Sequence, residues 1–214
     1  MANSAESAKA KHEVMARFDE HASEFDAHRT AAGYRLRQRL VKSLIAGAYS
    51  RGAVALDEGC GTAEYTISLA QVGFEAVGGD FSKGMLAVAR SKVKKVEWAG
   101  KVHHIRLELT RLPFRSESFE LVTCIAVLDL MPDFSRLLVE AHRVLKHGCA
   151  FIACVDGLWS PHRLFRRFRR VFGSSGKSRG HISSPIVLNR ALTACGFRVE
   201  NLFGDVLLAQ TFSG

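Results

Sequence analysis

The sequence predicts an α/β fold in which a doubly wound, mostly parallel sheet of seven strands carries helices on both faces and follows an N-terminal helical extension. From residue 53 onward, short apolar runs of β type alternate with longer runs of helical periodicity. Such alternation builds parallel sheets that are covered on both sides. The last two apolar runs, 197–203 and 205–212, follow each other directly, which predicts a hairpin-like pair and an antiparallel edge strand.

The N-terminal extension, residues 1–50, is predicted to be helical after a frayed tail at residues 1–10. A second helical stretch is predicted near residues 31–46. The first helix is predicted because apolar side chains recur at helical spacing. These are Val14, Phe18, Ala22 and Phe25.

The remaining elements follow in chain order. The other predicted strands cover 53–57, 75–80, 102–107, 119–126 and 149–154. The predicted helices cover 63–72, 82–93, 134–146 and 184–194. A chain of 214 residues is long enough for one such domain with a sizeable core and too short for two.

Composition limits where the protein acts. No run of eighteen apolar residues occurs, and the N-terminus "MANSAESAKAKHEVMARFDEH" lacks the apolar region of a signal peptide, so a soluble, cytoplasmic protein is expected. Five scattered cysteines without a C-x-x-C pair suggest reduced thiols and no metal site. The net charge of +9 leaves nucleic acid, an anionic membrane surface and an acidic substrate open as partners.

The stretch "VALDEGCGTAEY" shows the first strand ending abruptly in acids and glycines. In open parallel sheets, ligands bind beyond the carboxyl ends of the strands. Asp57 followed by Gly59 and Gly61 suits that place, because glycines let the backbone turn tightly and approach a ligand, while the next helix offers free N–H groups.

The residues around this turn indicate which ligand binds. A dinucleotide fingerprint counted from Gly59 needs a third glycine where this chain has Glu64, and a carboxylate there repels a pyrophosphate. Asp80 ends the second strand, where an acid accepts hydrogen bonds from ribose hydroxyls. A nucleoside with positive charge and no phosphate points to S-adenosylmethionine. The alternative is that Asp57 and Asp80 only cap helices.

Four ordered motifs resemble those of the class I S-adenosylmethionine-dependent methyltransferases, in particular the small-molecule group that includes the ubiquinone and menaquinone biosynthesis methyltransferases. They are "LDEGCGTAEYT", "VGGDFSKGML", "LELTRLPFRSESFELV" and "LLVEAHRVLKHG". The resemblance is strong over residues 50–155 and weak at both ends. It implies a Rossmann-like fold with S-adenosylmethionine as cofactor, and one domain, 1–214, with a cofactor-binding core at 51–155 and a substrate side at 156–214.

The same resemblance implies roles for individual residues. Asp57 and the turn Gly59, Cys60 and Gly61 would hold the methionine portion, and Asp80 the ribose. The remaining contacts would line the adenine or floor the pocket near the sulfonium: Phe81, Glu108 and Leu109 for the adenine, and Cys124 to Val127 (including Ile125), Leu128 and Asp129 for the floor. The chain departs from the family pattern at Ala63 (usually glycine), Glu108 (usually Asp), His147 (usually proline) and Cys149 (usually glycine).

Methyl transfer from a sulfonium is an in-line displacement with an activated leaving group, so positioning donor and acceptor is the main task and a base is optional. Where the acceptor is a phenol or an acidic carbon, Asp129 and His181 are the candidate bases. Asp129 as a loop residue and His181 as a surface or capping residue are the structural alternatives. His103 and His104 fall in a strand and are interpreted as structural.

A basic amphipathic helix is predicted at residues 162–172, where apolar side chains recur at helical spacing among arginines. Such helices lie on anionic membrane surfaces, which favours a lipophilic acceptor such as a quinone precursor, a lipid or a hydrophobic metabolite. The alternatives are a lid helix with solvated arginines, or binding of nucleic acid or an acidic substrate. The apolar residues are Leu164, Phe165, Phe168, Val171 and Phe172, and the basic ones Arg163, Arg166, Arg167, Arg169 and Arg170.

Three other functions compete with this hypothesis. A nicotinamide oxidoreductase shares the strand, glycine and acid layout but needs the third glycine. A nucleic-acid methyltransferase fits the charge, yet the chain has neither a [DN]-P-P-[FY] tetrad nor a Pro-Cys pair. A non-catalytic module would bind S-adenosylmethionine at a membrane surface without turning it over.

Overall fold

The computed structural model describes residues 16–28, 32–131, 134–155, 185–203 and 206–211. The predicted frayed tail, the basic helix at 162–172, His181 and residues 204–205 between the last two predicted strands lie outside the described residues. Among the helices of the described part, none is both long enough and apolar enough to cross a bilayer.

Seven strands form one sheet in the order β3-β2-β1-β4-β5-β7-β6. β1 to β5 run parallel, whereas β7 pairs antiparallel with both β5 and β6. This confirms the predicted fold class, and the antiparallel strand lies one place in from the edge. The strands are β1 (Val54–Glu58), β2 (Glu75–Asp80), β3 (Val102–Arg106), β4 (Phe119–Ile125), β5 (Leu145–Cys154), β6 (Phe197–Phe203) and β7 (Val206–Thr211).

Helices cover the sheet on both faces. We number them α1 (Ala32–Gly47), α2 (Glu64–Val72), α3 (Lys83–Val93), α4 (Ser135–Val144) and α5 (Pro185–Ala194), with short 3₁₀ helices at Ala22–His28, Ala99–Lys101 and Leu128–Leu130. In the N-terminal extension, residues 16–20 are helical and are followed by the first 3₁₀ helix, so the helix predicted from Val14 to Phe25 changes character after residue 20.

The fifth strand begins earlier than predicted. Helix α4 ends at Val144, and β5 starts at Leu145 rather than at residue 149. Leu145 pairs with Phe119 before the register shifts, and Gly148 has a φ of +70°. The strand therefore begins with a buried residue, but its pairing with β4 is irregular. Gly148 permits the irregularity because glycine, which lacks a Cβ, adopts a positive φ without strain.

The core has two parts, one on each face of the sheet, because successive strand residues point to opposite sides. Leu56, Val122 and Phe151 face α4 and α5. Ala55, Leu121 and Ile152, one step along the same strands, face α1, α2 and α3. The strands β1, β2 and β4 are neighbours and parallel, so their carboxyl ends lie side by side at the same end of the sheet.

Candidate cofactor site

Asp57, near the end of β1, is buried beneath the site. Its Oδ2 accepts a 2.6 Å hydrogen bond from Thr66 Oγ1 on α2, and its Oδ1 accepts one of 2.9 Å from Thr123 Oγ1 on β4. Burial raises the pKa of Asp57 to about 6, and the two threonine hydroxyls oppose this shift while Asp80 adds to it. Asp57 therefore joins three elements under the turn that follows it.

The turn after β1 approaches its neighbours closely. Gly59 N and Cys60 N both donate to Gly79 O, at 2.8 and 3.1 Å. Gly59 has a φ of +69°, and a methyl group in place of its hydrogen would lie 2.3 Å from Val127 Cγ2. Gly61 has a φ of +52°, but there the nearest atom to such a methyl group, Phe25 Cε1, is 3.8 Å away. Only glycine fits at residue 59, whereas a methyl group at residue 61 would make an ordinary van der Waals contact with Phe25.

Ala63 occupies the position where the resemblance to the methyltransferase motifs predicts glycine. Its φ of 66° and ψ of 26° place it in the left-handed region, directly before helix α2. A non-glycine residue in this conformation costs roughly 1–2 kcal/mol. Because the methyl group is fully buried in the core that faces α1 and α3, its burial returns about 0.8 kcal/mol.

Asp80 links the second strand to the glycine turn. Its Oδ2 accepts from Gly61 N at 2.9 Å, and its Oδ1 accepts from Ser82 N at 2.8 Å. Burial raises the pKa of this carboxyl group, and the hydrogen bonds from Ser82, Gly61 and Phe81 oppose the shift. Since each carboxylate oxygen accepts more than one hydrogen bond, both oxygens keep acceptor capacity for ribose hydroxyls.

The residues assigned to the adenine lie on two neighbouring segments. Phe81 follows β2 directly, and Leu107 N after β3 donates to Asp80 O at 3.1 Å, which joins the two strand ends. Leu109 is buried, whereas Glu108 is exposed and accepts a hydrogen bond from Thr110 Oγ1 at 2.8 Å. The side chain of Glu108 therefore lies at the protein surface, beside the segment assigned to the adenine.

The proposed pocket floor consists of the last residues of β4 and those that follow the strand. Cys124, Ile125, Val127 and Leu128 are buried, and Ala126 between them has a φ of 60°. Asp129 is half-buried on the 3₁₀ helix Leu128–Leu130. The structure therefore brings Asp57, the glycine turn, Asp80 and the β4 end together, while the roles of Asp129 and His181 stay predictions.

Glu64 has a different role from the one that the sequence suggested. As the first residue of α2 it accepts a hydrogen bond from Gln38, and its carboxylate lies 3.6 Å from Lys42 Nζ and 3.4 Å from Lys92 Nζ. Its charge is therefore compensated by α1 and α3 and contributes little to ligand choice. The charge of Glu64 therefore does not exclude a pyrophosphate from the site.

The donors and acceptors at the strand ends indicate which ligand the site suits. Three buried carboxyl groups, Asp57, Glu58 and Asp80, end β1 and β2. In the part of the chain that the structure describes, they contact hydroxyls, backbone N–H groups and a thiol, and no lysine or arginine forms an ion pair with them. Among the described residues, Asp57 and Asp80 therefore supply acidic oxygens without a basic partner, which disfavours phosphates and suits a cationic nucleoside with free hydroxyls, so S-adenosylmethionine fits the site. Glu58, whose pKa burial raises, adds no negative charge there.

Sequence reasoning missed two features of the site. Glu58, which follows Asp57, is fully buried. The N-terminal segment, residues 16–28, reaches over the glycine turn through Phe25 and contacts Phe81 through Phe18. Glu58 could have been noticed as a charged residue at the end of an apolar strand. The acidic residues of "ARFDEHASEFD" could have indicated that the N-terminal segment makes polar contacts.

Comparison with known proteins agrees with the geometry. Residues 56–153 match a family model described as a methyltransferase domain. The chain is 34% identical over 151 residues to a demethylmenaquinone methyltransferase of Staphylococcus saprophyticus, and the match covers 69% of this chain and 60% of that protein. The chain spans 62% of the demethylmenaquinone methyltransferase of Lactiplantibacillus plantarum and 45% of that of Listeria welshimeri, so it corresponds to only part of these relatives.

Solved structures show the same fold. Magnesium protoporphyrin IX methyltransferase from Synechocystis, determined with bound S-adenosylhomocysteine, superposes with a TM-score of 0.76 at 18% identity, covering 94% of this chain and all of that one. A [4+2]-cyclase superposes with a TM-score of 0.63 at 20% identity, covering 81% of this chain and 61% of that one. The match over residues 56–153, the sheet order and the fit of the site together identify this part of the chain as a class I methyltransferase domain whose cofactor is S-adenosylmethionine.

Proposed function

We propose that the protein transfers the methyl group of S-adenosylmethionine to a small lipophilic acceptor, such as a quinone precursor, a lipid or a hydrophobic metabolite. The buried carboxyl groups at the ends of β1 and β2, which face no basic partner among the described residues, carry the cofactor part of this proposal. The resemblance to proteins named demethylmenaquinone methyltransferase supports the acceptor class.

In the proposed mechanism the chain's residues bind and orient the cofactor rather than take part covalently. Asp80 would hold the ribose, the turn at Gly59 and Gly61 would receive the methionine portion, and Val127 would close the floor. The cofactor supplies an activated methyl group for in-line displacement, and correct alignment is worth about 7–11 kcal/mol. Asp129 is the proposed base for a phenolic or carbon acid acceptor, with His181 as the second candidate.

The decisive experiment is transfer of a labelled methyl group from S-adenosylmethionine into an extract of lipids and small metabolites, followed by identification of the labelled product. We expect label in an organic-soluble product and one S-adenosylhomocysteine released per methyl group. Label that enters only RNA, DNA or protein would overturn the acceptor class. The Asp80→Asn variant should lose activity through weaker cofactor binding, whereas Asp129→Asn should bind the cofactor normally and transfer slowly.

A second candidate function is cofactor binding without methyl transfer. The superposition on a [4+2]-cyclase supports it, because the same fold there carries a different named activity. This function predicts tight binding of S-adenosylmethionine with no S-adenosylhomocysteine formed in any extract. Stoichiometric S-adenosylhomocysteine release would exclude it.

The proposed acceptor class also predicts contact with an anionic membrane through residues 162–172. Binding to vesicles that contain anionic phospholipid should fall with added salt and be lost when Arg166, Arg167, Arg169 and Arg170 are changed to Glu. A lid helix would instead leave vesicle binding absent and alter acceptor KM. Equal binding to neutral vesicles would contradict the electrostatic contact.

A further inference from the structure

The N-terminal segment, residues 16–28, packs directly on the cofactor site although it lies outside the matched residues 56–153. Ala22 is buried against Gly84 at the start of α3. A methyl group added to Gly84 would lie 2.8 Å from Asp19 O. The backbones of the two segments therefore touch, and a side chain at residue 84 would separate them.

Asp19 fastens one end of this segment. Its Oδ1 accepts hydrogen bonds from Ser82 Oγ at 2.5 Å and from Gly84 N at 2.9 Å. These donors stand at the amino end of α3, two and four residues after Asp80. The hydrogen bonds from Ser82 and Gly84 lower the pKa of Asp19. The group that accepts these two hydrogen bonds is therefore an ionised carboxylate.

Aromatic rings continue the contact across the site. Phe18 meets Phe81 edge to face, with ring centres 6.1 Å apart, and meets Phe25 at the same distance. Phe25 in turn stands over Gly61. The three rings thus form a row from Phe81, which is assigned to the adenine, to Gly61 in the glycine turn.

Asp26 fastens the other end. Its Oδ1 accepts from Thr62 Oγ1 in the glycine turn at 2.7 Å, and its Oδ2 accepts from Lys92 Nζ on α3 at 3.0 Å. Lys92 also lies 3.4 Å from Glu64 Oε2. One lysine therefore ties the segment to both helices that flank the turn.

We propose that Asp19 and Asp26 are positioning residues that hold residues 16–28 across the cofactor site, so that this segment retains bound S-adenosylmethionine and detaches when the cofactor exchanges. The inference rests on the cofactor assignment but on neither the acceptor nor the methyl-transfer step. Both fastenings join polar groups far apart in the chain, and each lies beside a residue assigned to the cofactor.

The test measures affinity and release of S-adenosylmethionine and S-adenosylhomocysteine for Asp19→Asn and Asp26→Asn. We expect up to about fivefold weaker binding for each variant, because Asp19 is exposed and the ion pair of Asp26 is partly exposed, so water replaces part of each lost contact. Most of the change should be in the release rate. Glu120→Gln, which breaks an ion pair with Lys146 on the two strands β4 and β5, is the matched control and should bind as the unchanged protein does.

Two further readouts separate retention from a merely structural role. Hydrogen exchange in residues 16–28 should slow when S-adenosylhomocysteine binds. Asp26→Glu keeps a carboxylate for Thr62 and Lys92 and should restore most of the slow release that Asp26→Asn loses. Unchanged release rates in both Asp→Asn variants, or exchange in 16–28 that ignores the ligand, would overturn the proposal. Absence of S-adenosylmethionine binding by the unchanged protein would overturn the cofactor assignment and this inference with it, whereas binding without turnover would overturn only the proposed reaction.

Discussion

Glu58 carries an ionisable carboxyl group in a fully buried position. Neither oxygen of this group has a hydrogen bond of normal geometry to the described residues. Burial raises its pKa well above the ordinary value, with Asp57 and Glu140 adding to the shift and the Cys124 thiol opposing it in part. A buried carboxyl group of this kind stays protonated in the folded protein and costs stability.

Replacing Glu58 with Leu should therefore stabilise the fold, and more so at higher pH. Above the pKa of the unfolded chain, near 4.5, the unfolded state releases a proton that folded Glu58 keeps, so the unchanged protein loses stability as pH rises toward the folded pKa. We expect Glu58→Leu to add about 2 kcal/mol to the free energy of unfolding at pH 8, and less near pH 4.5. Urea unfolding across this pH range measures the difference.

Glu120 provides the control with the opposite slope. Burial raises its pKa, but Lys146 and the Val54 N–H more than offset this, so the net shift is downward. Its contribution to stability is present above the unfolded pKa and is lost as pH falls. Glu120→Gln should therefore lower stability at neutral pH, and a Glu58→Leu variant that behaves the same way would contradict our account of Glu58.

The glycine turn allows a matched pair of substitutions. Gly59→Ala combines a left-handed backbone with a 2.3 Å approach to Val127 Cγ2, so it should cost about 2–5 kcal/mol. Gly61→Ala meets no atom closer than 3.8 Å and should cost about 1–2 kcal/mol. Thermal unfolding orders the two variants, and Gly59→Ala with Val127→Ala should recover the overlap part but not the backbone part. Equal losses would mean that the turn relaxes.

Among the helices and strands, those that local hydrophobic periodicity determines could be predicted from the sequence. β1, β2 and β4 are short, largely buried segments bounded by helical runs or turns, and their positions were confirmed within a residue or two. The early start of β5 depends on Leu145 pairing with Phe119. The partners of Glu64 lie on α1 and α3, and Asp19 binds Ser82 across 63 residues of chain. Hydrophobic periodicity carries no information about such contacts.

Helix α4 holds the segment after β3 through one charged pair, which yields an element-scale prediction. Arg143 binds Glu140 and donates to Phe114 O at 2.8 Å and Leu112 O at 3.1 Å, and Leu112 N donates to Glu140 at 2.7 Å. Arg143→Met leaves two carbonyls and a carboxylate without their donor, so we expect a loss of about 2 kcal/mol and faster tryptic cleavage at Arg115.

The exposed pair Arg198 and Glu200 on β6 supplies the control for this prediction. Arg198→Met should change the free energy of unfolding by well under 1 kcal/mol, as is usual for surface ion pairs. Similar losses in the two variants, measured by urea unfolding, would show that α4 does not hold the segment through its arginine.

The candidate cofactor site draws on β1, β2 and β4 at once, so we expect cofactor binding to be coupled to folding. Asp57 alone joins β1, α2 and β4, and Asp80 joins β2 to the turn after β1. None of these groups is assembled in the unfolded chain, so S-adenosylmethionine binds only the folded state. Its binding free energy should add to the stability of the entire sheet.

S-adenosylmethionine or S-adenosylhomocysteine at about 100 times its Kd should therefore add about 2.7 kcal/mol to the free energy of unfolding. For a chain of this length each kcal/mol raises Tm by about 2–4 °C, so a shift of roughly 5–11 °C is expected. NADH at the same concentration should give no shift, because the described site lacks a third glycine and a basic partner for phosphates. Asp80→Asn should abolish most of the S-adenosylhomocysteine shift while leaving the ligand-free Tm within a few degrees. A larger shift with NADH would mean that the carboxyl ends of β1 and β2 hold a dinucleotide, and that the acids there have another role.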